Sequence, residues 1–191
     1  MNMPGQTKDT EEQTPPDKLP APTKMTGIGT AHMAVTATPE AQMWFNQGLN
    51  LLHDFWDYES ARAFEQSVRA DPGCAMCYWG LYQALSFWHG TEQGYANEAL
   101  GKAVSIKGHA SKRERLYIEA SRDALKNARP GSNSSRDVQL WRKLVKKYPK
   151  DTEALLFLAE HTHQGERLEI LQSLLKDDPG NSAANHYYIY T

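Results

Sequence analysis

From Thr38 onward, large apolar side chains return every three or four residues, the spacing of one face of an α-helix. Ala41, Trp44, Phe45, Gly48, Leu51, Leu52 and Phe55 form the first stripe, with Thr38 placed to cap the helix and Pro39 suited to its first turn. A second helix is predicted over roughly 57–71, where Tyr58, Ala61, Phe64 and Val68 share one side and Asp71-Pro72-Gly73 ends the run. The third, 74–89, is apolar on most sides through Cys77, Tyr78, Trp79, Leu81, Tyr82, Leu85 and Trp88, so it belongs between neighbours. A fourth covers 95–107. Ser111-Lys112-Arg113-Glu114 is a capping box that starts a fifth at 111–127. Val138, Trp141, Leu144, Val145 and Tyr148 mark a sixth, stopped by Pro149, and shorter helices follow at about 152–162 and 166–177. The closing NSAANHYYIYT reads as the first helix of another pair.

The start of the chain has no such pattern. Residues 1–25 hold five prolines and almost no large apolar side chains, a composition that cannot offset the entropy of ordering. In 26–38, β-branched and apolar residues come back without helical spacing, which predicts an extended strip laid on the folded body. The division expected is a disordered, proline-rich tail over 1–37, with the strip at 26–37, and a helical domain over 38–191. Gly27-x-Gly29 lacks the third glycine and the βα context of a nucleotide-binding turn.

Alternating helices with short links suggest a repeat, and a 34-residue helix–turn–helix period is one to test. Trp44, Gly48, Phe64 and Pro72 fall at its fourth, eighth, 24th and 32nd positions, with Ser60 and Ser67 in place of two small alanines. The next unit is degenerate, since Gly80 comes two positions early, and the unit ending at Pro179 is about one turn short. The stretch MWFNQGLNLLHDFWDYESARAFEQSVRADPGCAMCYWGLYQAL resembles tetratricopeptide repeat proteins. It is similar, more narrowly, to a bacterial group that joins such a repeat to segments like SKRERLYIEASRDAL and DPGNSAANHYYI. The resemblance spans roughly 26–191. It implies an all-α fold of antiparallel helix pairs stacked as a right-handed solenoid, about four pairs and a final unpaired helix. It also implies a protein-binding scaffold with no enzymatic activity and no cofactor. Such proteins usually carry further repeats and often an export signal. The chain is therefore expected to be a possible N-terminal fragment, cytoplasmic by default and periplasmic or secreted if its start is truncated.

Composition leaves this picture in place. The chain is 40% hydrophobic and 23% charged with a net charge of −2, as in ordinary water-soluble domains. No run approaches the length of a membrane-spanning helix. Residues 102–150 carry 14 basic against 4 acidic side chains. Arg113, Arg115, Arg142, Lys143, Lys146 and Lys147 alternate with apolar residues, as on the wet face of a helix, so nucleic-acid binding ranks last among the readings.

Cys74 and Cys77 are the sharpest chemical candidates, three apart at a helix start where the dipole lowers a thiol pKa. Haem attachment needs His where Tyr78 stands, and a thioredoxin-like site needs a βαβ setting. Separate packing, Cys77 with Leu81, Ala84 and Trp88 and Cys74 in the turn, is favoured over a disulfide or a soft-metal site. His32, His53, His89, His109, His161, His163 and His186 are weighed as ordinary helix or loop residues; His32 and His53 would meet if the strip folds back along the first helix. No nucleophile or phosphate-loop motif occurs.

By the resemblance, the inward face of the first helix of each pair lines a groove. Here that face is Gln42, Phe45, Leu49, Leu52 and His53, then Met76, Trp79, Gln83, Ser86 and Phe87. It is apolar and aromatic, suited to a partner's peptide or to the protein's own 26–38 strip. The leading expectation is a scaffold binding a protein or peptide, further repeats of its own full-length chain included. The alternative is a Cys/His metal-binding or redox-sensing protein on the same scaffold.

Overall fold

A computed structural model of the chain describes residues 14–87, 93–127 and 135–191. Among them every regular element is helical: α1 (Pro39–His53), α2 (Asp57–Ala70), α3 (Ala75–Phe87), α4 (Gln93–Ile106), α5 (Lys112–Asn127), α6 (Ser135–Lys147), α7 (Thr152–His161), α8 (Gln164–Asp177) and α9 (Ser182–Ile189). Neighbouring helices pack in pairs, α1 on α2 most extensively, and α3 also lies on α1. Trp88, His89 and the turn at 128–133 lie outside the described residues.

The capping signals act as their chemistry requires. Thr38 accepts from the Ala41 amide, Asp151 from Ala154 and Asn181 from Ala184, each satisfying a helix-start donor that has no partner within its helix. The box at Ser111 is reciprocal: the Glu114 amide donates to Ser111 Oγ at 3.2 Å and the Ser111 amide to Glu114 Oε2 at 2.5 Å.

Phe64 explains how the first helix pair packs against α3. Its ring lies between α1 and α3, and a Cβ added at Gly48 would come within 2.9 Å of it; one at Gly80 would overlap it. Gly80, early by the repeat count, is therefore placed for this contact, flanking the same ring as Gly48. The two serines that stand for alanines are buried and bond to α1 carbonyls, Ser60 Oγ to Gly48 at 2.8 Å and Ser67 Oγ to Ala41 at 2.7 Å. Each replaces pure closeness with a hydrogen bond.

The α1–α2 turn passes through Phe55 at φ +61°. The Trp56 amide reaches back to Leu51 O and Phe55 to Leu52 O, the helix-ending pattern that usually uses glycine. The Phe55 ring stacks on Tyr187 of α9 at 5.8 Å, and this packing holds a backbone conformation that costs a non-glycine residue about 1–3 kcal/mol. The last helix thus sits on α8 and against the end of α1, leaving Tyr188, Ile189 and Tyr190 exposed.

Residues 1–13 lie outside the described residues. The expected tail is described from Thr14 on. Pro16–Lys18 forms a 3-10 turn, and Arg69 of α2 donates to the carbonyls of Leu19 (2.8 Å) and Asp17 (2.9 Å). Carbonyls bonded by an arginine supply what the apolar count leaves out.

Candidate functional site

Residues 23–37 run over α1, the helix whose face was expected to line a groove. From Ala31 to Ala37 burial alternates, with Ala31, Met33, Val35 and Ala37 turned inward and the residues between them exposed. This is the period of an extended chain with one buried side. Met33 is 1% exposed and joins the main core with Phe45 and Leu49; burying such a side chain stabilises by about 2–3 kcal/mol.

Backbone contacts fix the strip. Gln42, Asn46 and Asn50 recur at four-residue steps on α1, a row of carboxamides on one helix face. Asn50 takes both polar groups of Ala31, accepting from its N–H and donating to its C=O, each at 2.9 Å. Gln42 accepts from Val35 N at 2.8 Å and donates to Met33 O at 3.0 Å. Gln47, one turn-edge away, accepts from Met25 N at 3.0 Å and donates to Thr23 O at 2.9 Å. Asn46 orients the row by accepting from Gln42 Nε2 at 2.9 Å. A carboxamide carries a donor and an acceptor side by side, so it matches a backbone N–H and C=O without regard to side chain.

Two further helices hold the strip. Thr36 donates to the buried Glu114 of α5 through both its backbone N–H and its hydroxyl, the latter at 2.8 Å. One carboxylate thereby caps its own helix and anchors the strip. Thr30 N donates to Ser182 Oγ of α9 at 3.1 Å. Between the Gln47 and Asn50 contacts the chain turns at Gly27 (φ +72°) and Gly29 (φ +133°). A side chain at Gly29 would strike Asn50 and come within 2.9 Å of Ser182 Oγ. A cavity of about 420 Å³ remains between the strip and α1, next to Met43 and Asn46. A second, of about 510 Å³, opens beside His32, between Arg113 and the α6–α7 turn with Lys147 and Lys150.

The other groove residues are core. Phe45, Leu49, Leu52, Met76 and Trp79 are buried. Trp79 meets Tyr117 at 5.3 Å and Phe157 at 5.2 Å, Trp141 stacks on Phe157 at 5.0 Å, and Tyr117 contacts Trp141 at 5.5 Å. The Trp79 indole and Gln83 amide both donate to Ser121 Oγ. The aromatic face is thus covered by α5, α6 and α7, and of the α3 residues named only Ser86 and Phe87, at the end of the helix, are exposed. Gln42 is the one expected groove residue that grips the strip; Asn46, Gln47, Asn50 and Glu114 were missed. For Asn46 and Asn50 the signal was present as polar residues at four-residue steps from Gln42, whereas Glu114 was read only as part of the capping box.

His53 lies at the floor. Its Nδ1 is 2.7 Å from Tyr187 Oη and its Nε2 2.7 Å from Glu153 Oε2. A neutral ring with its proton on Nε2 satisfies both, donating to the carboxylate and accepting from the phenol. Burial, with the charges of Glu160 and Glu153 adding, pushes the Tyr187 hydroxyl well above its ordinary range, so it stays a donor. The strip does fold back along α1, but both His53 nitrogens are taken by other partners than His32. His186 donates to the His53 carbonyl at 2.7 Å, His161 contacts Phe157 O, and His163 caps α8.

Cys74 and Cys77 form a disulfide inside the core, the pairing the sequence ranks below separate packing. Joined sulfurs offer no thiolate to a metal. Among the described residues no three His, Cys, Asp or Glu side chains gather as a metal site, and no helix is long and apolar enough to cross a membrane. The basic block is partly matched: Arg113 holds Asp151 through two bonds of 2.6 and 2.8 Å, a pairing that raises its pKa further, and Arg142 pairs with Glu166. No protein-family model, curated protein or solved structure matches the chain.

Proposed function

We propose that the chain is a tetratricopeptide-like right-handed solenoid that serves as a protein–protein interaction scaffold, holding an extended peptide along α1. The observation that carries this reading is the row of carboxamides. Gln42, Gln47 and Asn50 each bond an N–H and a C=O of an extended segment, and side chains spent this way serve peptide capture better than they serve a core. Gln42 Nε2 and Asn50 Nδ2 also bond to Asn46, whereas the acceptor oxygens of all three carboxamides are met by amides of the segment. The helix pairs and the Phe64 contact between them support the solenoid.

The test is peptide display on the full chain carrying Met33→Asp, which unseats the present occupant. Peptides that bind with micromolar affinity, lose it with Asn50→Leu and keep it with Lys143→Ala support the scaffold. Enrichment of none, or binding indifferent to Asn50→Leu, rejects it.

A second reading, redox sensing on the same scaffold, is favoured by the disulfide alone. Closing so short a loop stabilises by about 2 kcal/mol on chain-entropy grounds. Reduction is then expected to lower the melting midpoint and alter peptide capture; if capture is unchanged between oxidised and reduced protein, the sensing role fails.

A further inference from the structure

Resting on the scaffold reading, we infer that residues 23–37 are an internal occupant that blocks the α1 face, and that the partner it mimics is an extended segment of definable pattern. The pattern follows from what each position meets. At Gly29 the backbone is at φ +133° and a Cβ would collide with Asn50 and crowd Ser182, so glycine is required. Two residues on, Ala31 has both backbone groups taken by Asn50 and faces inward, which demands a small side chain. His32 faces the 510 Å³ cavity, lined by Arg113, Lys147 and Lys150 and also by Asp151 and Glu153, so the next position admits a large side chain without a set charge. Met33 is 1% exposed in the core cluster that includes Phe45 and Leu49, so this position calls for an apolar residue, and an unbranched one adapts most readily to such a site. At Thr36 a hydroxyl donor is selected, because Glu114 accepts from both the amide and the side chain. A carboxylate there would face Glu114 directly and be repelled.

The partner is thus a peptide reading glycine, any residue, a small residue, a variable one, an unbranched apolar anchor, and three residues after that anchor a serine or threonine. The occupant is suited to leave. It is held by side chains that grip backbone, so a competitor with the same pattern recovers the same bonds, and it enters α1 through Thr38, whose amide bonds to Asp71. A site occupied by its own chain presents a reduced apparent affinity, in proportion to the fraction that is open.

The experiment titrates a fluorescent peptide of residues 23–37 into three full-length chains: wild type, Met33→Asp and Thr36→Glu. Circular dichroism checks that helical content is retained. Thr36→Glu changes an exposed residue, so it carries the measurement if Met33→Asp does not fold. The expected result is binding at least tenfold tighter to the variants than to wild type. Peptides carrying Gly29→Val, Met33→Asp or Thr36→Val are expected to lose tenfold or more. Equal affinity for wild type and variants overturns the occlusion while leaving the scaffold reading intact. No binding by the strip peptide, with display peptides still captured at α1, overturns the mimicry; no binding by either class takes down the scaffold reading as well.

Discussion

The two ends of the helical array are held by different physics. In the α1–α2–α3 region a single ring, Phe64, fits between two glycines of adjacent helices, and the surrounding core runs without a break from Met33 to Phe157. The α7–α9 region has a small separate cluster of Leu156, Ala159, Leu171, Leu174, Ala183, Ala184 and Tyr187. While Ala154, Phe157 and Leu158 on α7 belong to the main core, what ties α9 back to α1 has a polar centre: the chain Tyr187–His53–Glu153, with Phe55 and His186 packed over it. Steric fit depends on volume and is unforgiving of change. A buried polar tie depends on every member being present, and removing one leaves another unsatisfied.

Four substitutions sharpen this contrast. Phe64→Ala empties the contact between three helices and is expected to lower unfolding free energy by about 3–5 kcal/mol, measured by denaturant melts. Tyr187→Phe removes the donor that His53 Nδ1 accepts, at a cost of about 1–3 kcal/mol. Hydrogen exchange should then quicken in α8 and α9 while α1–α3 amides keep their protection; uniform loss across the chain contradicts two separately held regions. Thr38→Ala deletes the cap of α1 for about 1 kcal/mol, and by loosening the junction it should also speed exchange at Ala31 and Val35. Arg142→Ala, at an exposed ion pair with Glu166, is expected to leave the melting midpoint unchanged. A clear drop would show that the basic face contributes more than solvation.

Helix starts were legible because they depend on residues three apart. Thr38, Ser111 with Glu114, and the stop at Pro149 all act locally. The site was legible only in part. The sequence suggested that the 26–38 strip would lie on the first helix, and Gln42 was named among the residues that meet it. The apolar residues named with it went to the core instead, because α5, α6 and α7 fold over α3 and compete for the same face. Arrangement of distant helices does not show in local spacing. The disulfide is a similar case: a three-residue separation permits pairing, and only the turn geometry at the start of α3 brings the sulfurs together.

By itself, then, the sequence determined an all-helical chain, where its helices begin and end, and a first pair that is packed around Phe64. Those properties follow from hydrogen-bond capping and 3.6-residue periodicity, which act within about one turn. Tertiary structure alone decided that Gly80 completes the Phe64 contact, that Glu114 serves cap and strip together, and that the α1 carboxamides meet the protein's own backbone. Each joins residues separated by long stretches of chain, and such partners are selected by the packing of whole helices rather than by any residue's neighbours in sequence.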